Sequence, residues 1–293
     1  MAEAASTLGL ATRRRRTRLI YIDPALAIGA AITLAIVLYS ILGPMFVTAK
    51  AANVGAFKPR QAPNAQHVLG TDMQGRDVFT TLTLAIPQSL KIGLVAGIVG
   101  LGIGVVLGLM AGYFGGIVDG VIRTATDVLT TIPGILLLVV VATQVRTMTV
   151  GTMALIIAAL AWRYPARAIR SQTLSLRERA YVQIARLNGL GGLEIVIKEV
   201  LPNLLPYIAA SFVATVSAAM LSAIGLEALG LGPQNTHTLG MMIYWAQFYN
   251  AVLRGFWWWW TPPILVIILI FIGLLFTSAG MDQLVNTKLR RAE

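Results

Sequence analysis

The chain has no cysteine in 293 residues, which excludes disulfides, cysteine-ligated zinc and thiol catalysis, and removes redox logic as a guide to compartment. Histidine is nearly absent as well. His67 and His237 are the only two, too few for a histidine-rich metal site. Charged residues make up 12%, against about 25% in soluble domains. Three chemical signatures are also missing: a Gly-x-x-x-x-Gly-Lys-Ser/Thr loop to cradle phosphates, a His-Glu-x-x-His helix, and a Gly-x-Ser-x-Gly elbow with a triad. No catalytic residue, metal site or bound cofactor is expected. A chain of this kind that moves solute against a gradient needs an ion gradient or a separate ATPase.

What the chain has is apolar length. Hydrophobic residues reach 57% and the mean hydropathy is +0.76. A membrane-spanning helix takes about 20 apolar residues, and the pattern predicts six spans, over 24–43, 88–112, 121–143, 148–165, 205–226 and 261–281. The fold class is therefore an all-α integral membrane protein. Its expected organisation is a basic tail at 1–20, a first transmembrane helix at 21–43, a polar outer segment at 44–87, and a five-helix core at 88–285 with a loop at 166–203. A tail at 286–293 closes the chain. Only Gln144-Val145-Arg146-Thr147 separates the third and fourth spans, and the fifth begins around Pro202 and Pro206.

The formal net charge of +11 invites a nucleic-acid reading, but its distribution argues against one. With six spans, Arg13 to Arg16 and Arg18, then Arg123, the central loop, and Lys288, Arg290 and Arg291 all fall on one side. The other side holds Lys50, Lys58, Arg60, Arg76, Lys91, Arg146 and Arg254, spread over longer segments. That is the positive-inside pattern, with both termini cytoplasmic and no nucleic-acid partner. The first apolar run, near 20 residues, exceeds a signal-peptide core of about 7–15, so it is expected to remain as an uncleaved span.

The central loop is the most informative stretch. Arg163, Arg167, Arg170, Arg177, Arg179, Arg186 and Lys198 stand there in an otherwise apolar protein, around Tyr181-Val182-Gln183-Ile184-Ala185, Gly189 and Leu201-Pro202-Asn203. A cytoplasmic loop with its own helical pattern reads as a docking surface. In the second span Ala96, Gly100, Gly104, Gly108 and Gly112 recur every fourth residue, a smooth stripe that admits another helix, either within the chain or from a second subunit. Asp127 sits four residues after Arg123, which predicts an ion pair. Glu227, beside Gly225, Gly230 and Gly232, either caps a broken segment or reaches water. Trp257 to Trp260 read as an interfacial aromatic belt. The Gly and Asp residues of 67–78 suit tight turns.

Taken together, these segments resemble the inner-membrane permeases of binding-protein-dependent ABC importers, specifically the second permease of the dipeptide/oligopeptide/nickel class. The likeness rests on Leu69-Gly-Thr-Asp-Met-Gln-Gly-Arg-Asp77, on Ser89-Leu-Lys-Ile-Gly93 and on Gly108 to Asp119 with Arg123 and Asp127. It continues through Ala180 to Asn203, Ile224 to Gly232 and Trp259 to Pro263, covering roughly 65–290. The resemblance implies a type I importer permease that forms half of a translocation pathway in the cytoplasmic (inner) membrane. It implies an ATPase-coupling loop carried by Tyr181, Gln183, Ala185, Gly189, Leu201, Pro202 and Asn203, with Gly189 turning the chain between two short helices and Leu201-Pro202 redirecting it into the fifth span. It makes Gly70, Thr71, Asp72, Gly75, Arg76 and Asp77 an extracytoplasmic signature. The implied partners are a second homologous permease in a heterodimer, two ABC ATPase subunits, an extracytoplasmic substrate-binding protein and the lipid bilayer. ATP and Mg act on the ATPase subunits alone. The implied cargo is di- or oligopeptides, with nickel chelates or oligosaccharides as alternatives and an autonomous secondary transporter below them. The sequence departs from the family pattern at Gln183, Ile184, Gly191-Gly192 and Glu199.

Overall fold

The computed structural model describes residues 24–289. The expected basic tail at 1–20 and the last residues of the expected C-terminal tail lie outside them. The elements run α1 (Pro24–Leu42), α2 (Val78–Phe114), α3 (Gly116–Thr131), α4 (Gly134–Thr143), α5 (Val150–Ala161), α6 (Arg163–Arg177), α7 (Ala180–Leu187), α8 (Gly192–Ile195), α9 (Leu201–Ala228), α10 (Leu239–Phe248) and α11 (Trp257–Leu289). Among the described residues there is no β-strand, only an isolated bridge between Thr71 and Asp77.

Helix α2 begins ten residues before the predicted 88. Asp77 starts it by accepting from the Thr80 amide at 2.8 Å. The threonines that read as loop lie within the helix, where Thr81 and Thr83 return their hydroxyls to the carbonyls of Asp77 and Phe79. Along α2 the glycine stripe faces α5 and α6. Gly100 lies against Ala161, Gly104 against Pro165, Gly108 against Ile169 and Gly112 against Thr173, where an added Cβ would come within 2.6 to 2.8 Å of each neighbour. Both helices advance four residues per contact, so α5–α6 runs parallel to α2. The stripe thus packs neighbours within the chain. A second set, Gly93 against Met220 and Gly97 against Val216, sets α9 antiparallel to α2. Gly29, Gly273 and Gly280 do the same for α1 and α11, with Gly280 meeting Leu26.

Parallel packing of α2 and α5 requires α3 and α4 to return the chain to its starting end. They do so with a bend of 86° between them. Pro133 causes the break: it lacks an amide proton and forces Ile132 into the extended region, at φ −85° and ψ 130°. The predicted third span, 121–143, is therefore broken. The predicted fourth, 148–165, is α5 continued through Trp162 into the first turn of α6. Among the described residues, four helical stretches are long and apolar enough to cross a membrane alone, Pro24–Phe46, Val78–Phe114, Gly192–Ala228 and Trp257–Gln283, and the bent pair makes a fifth. The predicted count of six is not reached by apolar length.

The fifth predicted span also starts earlier. Helix is unbroken from Gly192, through a π-helical turn at Val196–Val200, into α9. Leu201 bonds back five residues to Val196, and this wider turn absorbs Pro202, which has no amide proton to give. Leu201-Pro202 therefore does not redirect the chain; Gly189 and Gly191-Gly192 do.

Candidate functional site

The two ends of the bundle carry the residues that the sequence singles out. At the end where α2 begins, 70–77 folds into a closed turn. Asp72 Oδ1 accepts from the amides of Gln74 and Arg76 at 2.8 and 2.9 Å, while its Oδ2 accepts from Arg76 Nε at 2.6 Å. Asp72, Arg76 and Asp77 are all buried. Gly75 (φ 73°) and Gly70 (φ 65°) have left-handed backbones, and an added Cβ would collide with the carbonyls of Phe57 and Gln61 respectively. Thr71 donates to Lys58 O and receives the Gln61 amide. Asp77 divides its oxygens between the start of α2 and His67 Nδ1, the latter at 2.9 Å. Both carboxylates of the motif are thus satisfied within this end of the molecule. It shapes this end of the molecule without presenting its own charges.

The tryptophan run begins α11 instead of preceding it. Trp259 is buried beside Tyr249, and Trp258 Nε1 reaches the Thr71 carbonyl at 3.4 Å. Only Trp257 is largely exposed, so the run is chiefly packing and not a belt. Glu227 does not reach water. It is 1% exposed, and its Oε2 accepts the Gly240 amide at 3.0 Å at the start of α10. Gly232 and Gly240 leave it room, since a Cβ at either would strike its side chain. His237, in the neighbouring loop, is held below the ordinary imidazole range by burial and by the Arg76 charge, against the pull of Asp72.

At the opposite end, α7 packs against the bundle. Val182 and Ala185 are buried with Leu109 and Tyr113 of α2, Ile169 of α6, and Ile195, Val200 and Leu204 of the α8–α9 stretch. Gly189 takes φ 81° and lets Leu190 bond back to the Ala185 carbonyl, a glycine-terminated helix end. Nothing lies within 4 Å of an added Cβ at Gly189, so its requirement is backbone conformation and not space. Tyr181 has a buried hydroxyl with no partner, and burial raises its pKa above the usual phenol value. Gln183 is exposed and turns back to the Glu178 carbonyl at 3.3 Å; Asn203 bonds to Glu199 O at 2.7 Å.

The basic loop is less free than its sequence suggests. Arg170 pairs with Asp119, Arg167 reaches Asp127 at 2.5 Å, and Arg177 turns to the end carbonyls of α2 at Gly112 and Tyr113. Arg186 lies 5.2 Å from the Tyr113 ring centre. Asp127 does meet Arg123, at 3.7 Å, but its shorter bond is the one across to Arg167, which sequence spacing does not reveal. Three large apolar side chains also stay uncovered here, beside exposed Arg179, Gln183 and Arg186: Ile184, Leu187 and Leu193 are 57%, 88% and 63% exposed. The structure thus gathers Tyr181, Gln183, Ala185 and Gly189 around α7, and places Leu201, Pro202 and Asn203 on the adjoining helix.

Residues 104–291 match the family described as binding-protein-dependent transport system inner membrane component. The oligopeptide transport system permease protein OppC of Mycobacterium tuberculosis (strain ATCC 25618 / H37Rv) is 29% identical over 175 residues, covering 59% of this chain and 60% of that protein. The glutathione transport system permease protein GsiD of Escherichia coli O6:K15:H31 is 36% identical over 174 residues, covering 59% and 56%. The chain thus spans about three fifths of the length of the curated relatives it matches. The Asp72 turn lies outside the family match.

Proposed function

Because this chain belongs to the family of binding-protein-dependent transport system inner membrane components, we propose that it is a permease subunit of an ATP-driven ABC importer for short peptides. It forms half of the translocation pathway in the inner membrane. Its chain crosses the bilayer six times, with α3–α4 and α5–α6 each serving as one crossing. The end bearing α7 is cytoplasmic, as are both termini, consistent with the arginines gathered there. The other half of the pathway is a second homologous permease. Two ABC ATPase subunits use ATP and Mg, and an extracytoplasmic binding protein delivers solute to the end built on Asp72. The peptide class is supported by the relatives: one is named for oligopeptides and the other for glutathione, a tripeptide in its chemistry.

One observation carries the coupling role. Helix α7 is held to the bundle by buried Val182 and Ala185, while Ile184 and Leu187 project from it uncovered. Large apolar side chains facing water on a fixed helix mark a surface that a protein partner covers. Rigid seating of α7 on α2, α6 and α9 lets a push on that helix rock the spans. Leu187→Asp leaves the bundle core untouched and is expected to insert normally. A mild-detergent pull-down from native membranes should then recover the second permease but lose most of the ATPase, and peptide uptake should fall at least tenfold. ATPase recovery and uptake at unmodified levels would remove this assignment.

A further inference from the structure

A cavity of about 520 Å³ opens between α4, α5, α6 and α9. Such a volume suits a small ligand. On α9 its lining runs from Tyr207 to Ser222, roughly 22 Å of helix, so the groove follows the long axis of the bundle. Its wall is mainly apolar, with hydroxyls from Tyr164, Tyr207, Ser211, Thr215 and Ser222 and one cation, Arg163.

That cation is the exception among the arginines of α6. Arg167 and Arg170 have aspartate partners, and Arg177 has Glu178 and two carbonyls. Arg163 has no acidic partner among the described residues. Its Nε and Nη1 are buried with no hydrogen-bond acceptor, and the Tyr164 ring centre lies 5.0 Å from the guanidinium carbon. Gly134 gives the guanidinium its place, since a Cβ there would collide with Nη2. Guanidinium nitrogens buried without an acceptor are costly, and such a charge within a membrane protein is expected to line a solute path or meet a counter-ion. Farther along the groove, Thr215 and Ser222 donate to carbonyls of their own helix at 2.7 and 2.8 Å, which leaves their oxygens as acceptors toward the cavity. A cation and hydroxyl acceptors along one groove match a short peptide, whose carboxylate takes the guanidinium and whose N–H groups take the hydroxyl oxygens.

We infer that this groove is a solute subsite in which Arg163 anchors the substrate's terminal carboxylate; the inference rests on the peptide-importer reading for the identity of that substrate. The absence of cysteine allows a direct test. Ser211→Cys places a single thiol in the groove, and its alkylation by a maleimide is timed in vesicles carrying the assembled transporter; Ser222→Cys serves as a second reporter. Millimolar alanyl-alanine should slow alkylation about tenfold more than alanyl-alanine amide, as expected for losing a charged hydrogen bond. Arg163→Gln should erase that difference and Arg163→Lys should keep it. Equal protection by acid and amide, no protection at either reporter, or a difference that survives Arg163→Gln would overturn the anchor. So would loss of the second permease from the Arg163→Gln complex, which would make the arginine a subunit contact. The two readings fail separately. Propionate protecting as well as the dipeptide, with no dipeptide uptake, sinks the peptide reading and keeps the anchor. Normal dipeptide uptake without protection does the reverse.

Discussion

Asp72 shows how much one side chain can organise when its bonds are all internal. It receives two backbone amides and a guanidinium, and both members of the Asp72–Arg76 pair are buried. Removing one charge from such a pair leaves the other uncompensated, at a cost of roughly 3–5 kcal/mol. Asp72→Asn is therefore expected to lower the apparent melting midpoint of the detergent-solubilised protein. Asp72→Asn with Arg76→Gln should recover part of the loss, because the stranded guanidinium is gone. An unchanged midpoint in the single variant would show that the turn is held by its glycines and backbone alone. The spacing of Gly70, Asp72, Gly75 and Asp77 already spelled out a tight turn. Spacing did not disclose that the turn would engage Trp258, 187 positions away, through the Thr71 carbonyl.

Among the elements, α2 decides the architecture, because two glycine faces on one helix receive two different neighbours. Gly104 meets Pro165 and the Trp162 carbonyl, which sits 2.9 Å from where a Cβ would stand. Backbone cannot step aside as a flexible side chain can. Gly104→Leu is expected to separate α2 from α6, with an overpacking cost of about 1–3 kcal/mol or more. Because the contact lies within one chain, recovery of monodisperse protein should fall even when this subunit is expressed without partners. If recovery alone is normal and only assembly with the second permease fails, the stripe serves a subunit interface. The period-four glycines were plain in the sequence, and so were the long apolar helices α1, α2 and α11. Their partners were not, since periodicity marks a face and never what covers it. The start of α2 was obscured by buried threonines, the break at Pro133 by the apolar residues on both sides, and the start of α9 by Pro202, which a π-helical turn accommodates.

Over the whole molecule, apolar length and the proposed topology give different numbers of crossings, and the difference can be measured. Among the described residues, length supports four spans, or five with the bent pair. The six passes proposed above are α1, α2, α3–α4, α5–α6, α9 and α11. The register of Gly100, Gly104, Gly108 and Gly112 sets α5–α6 parallel to α2, so the turn at 144–149 must share an end with the Asp72 motif and not with Gly189. A pair with charges such as Arg163 and Arg167 in its course fails any length-and-hydropathy test, yet a cation lining a cavity costs less than one facing lipid. That is why the third and fourth passes were the hardest to delimit from sequence. A single thiol introduced by Thr147→Cys, exposed in that turn, resolves the count in this cysteine-free chain. With six crossings it should react with a membrane-impermeant maleimide from the outer face of intact cells, as Val54→Cys does, while Leu187→Cys reacts only after the membrane is opened. If the Thr147→Cys thiol behaves like the one from Leu187→Cys, α3–α4 is a re-entrant segment, the chain crosses four times, and the groove beside Arg163 cannot run through the bilayer as a path for solute.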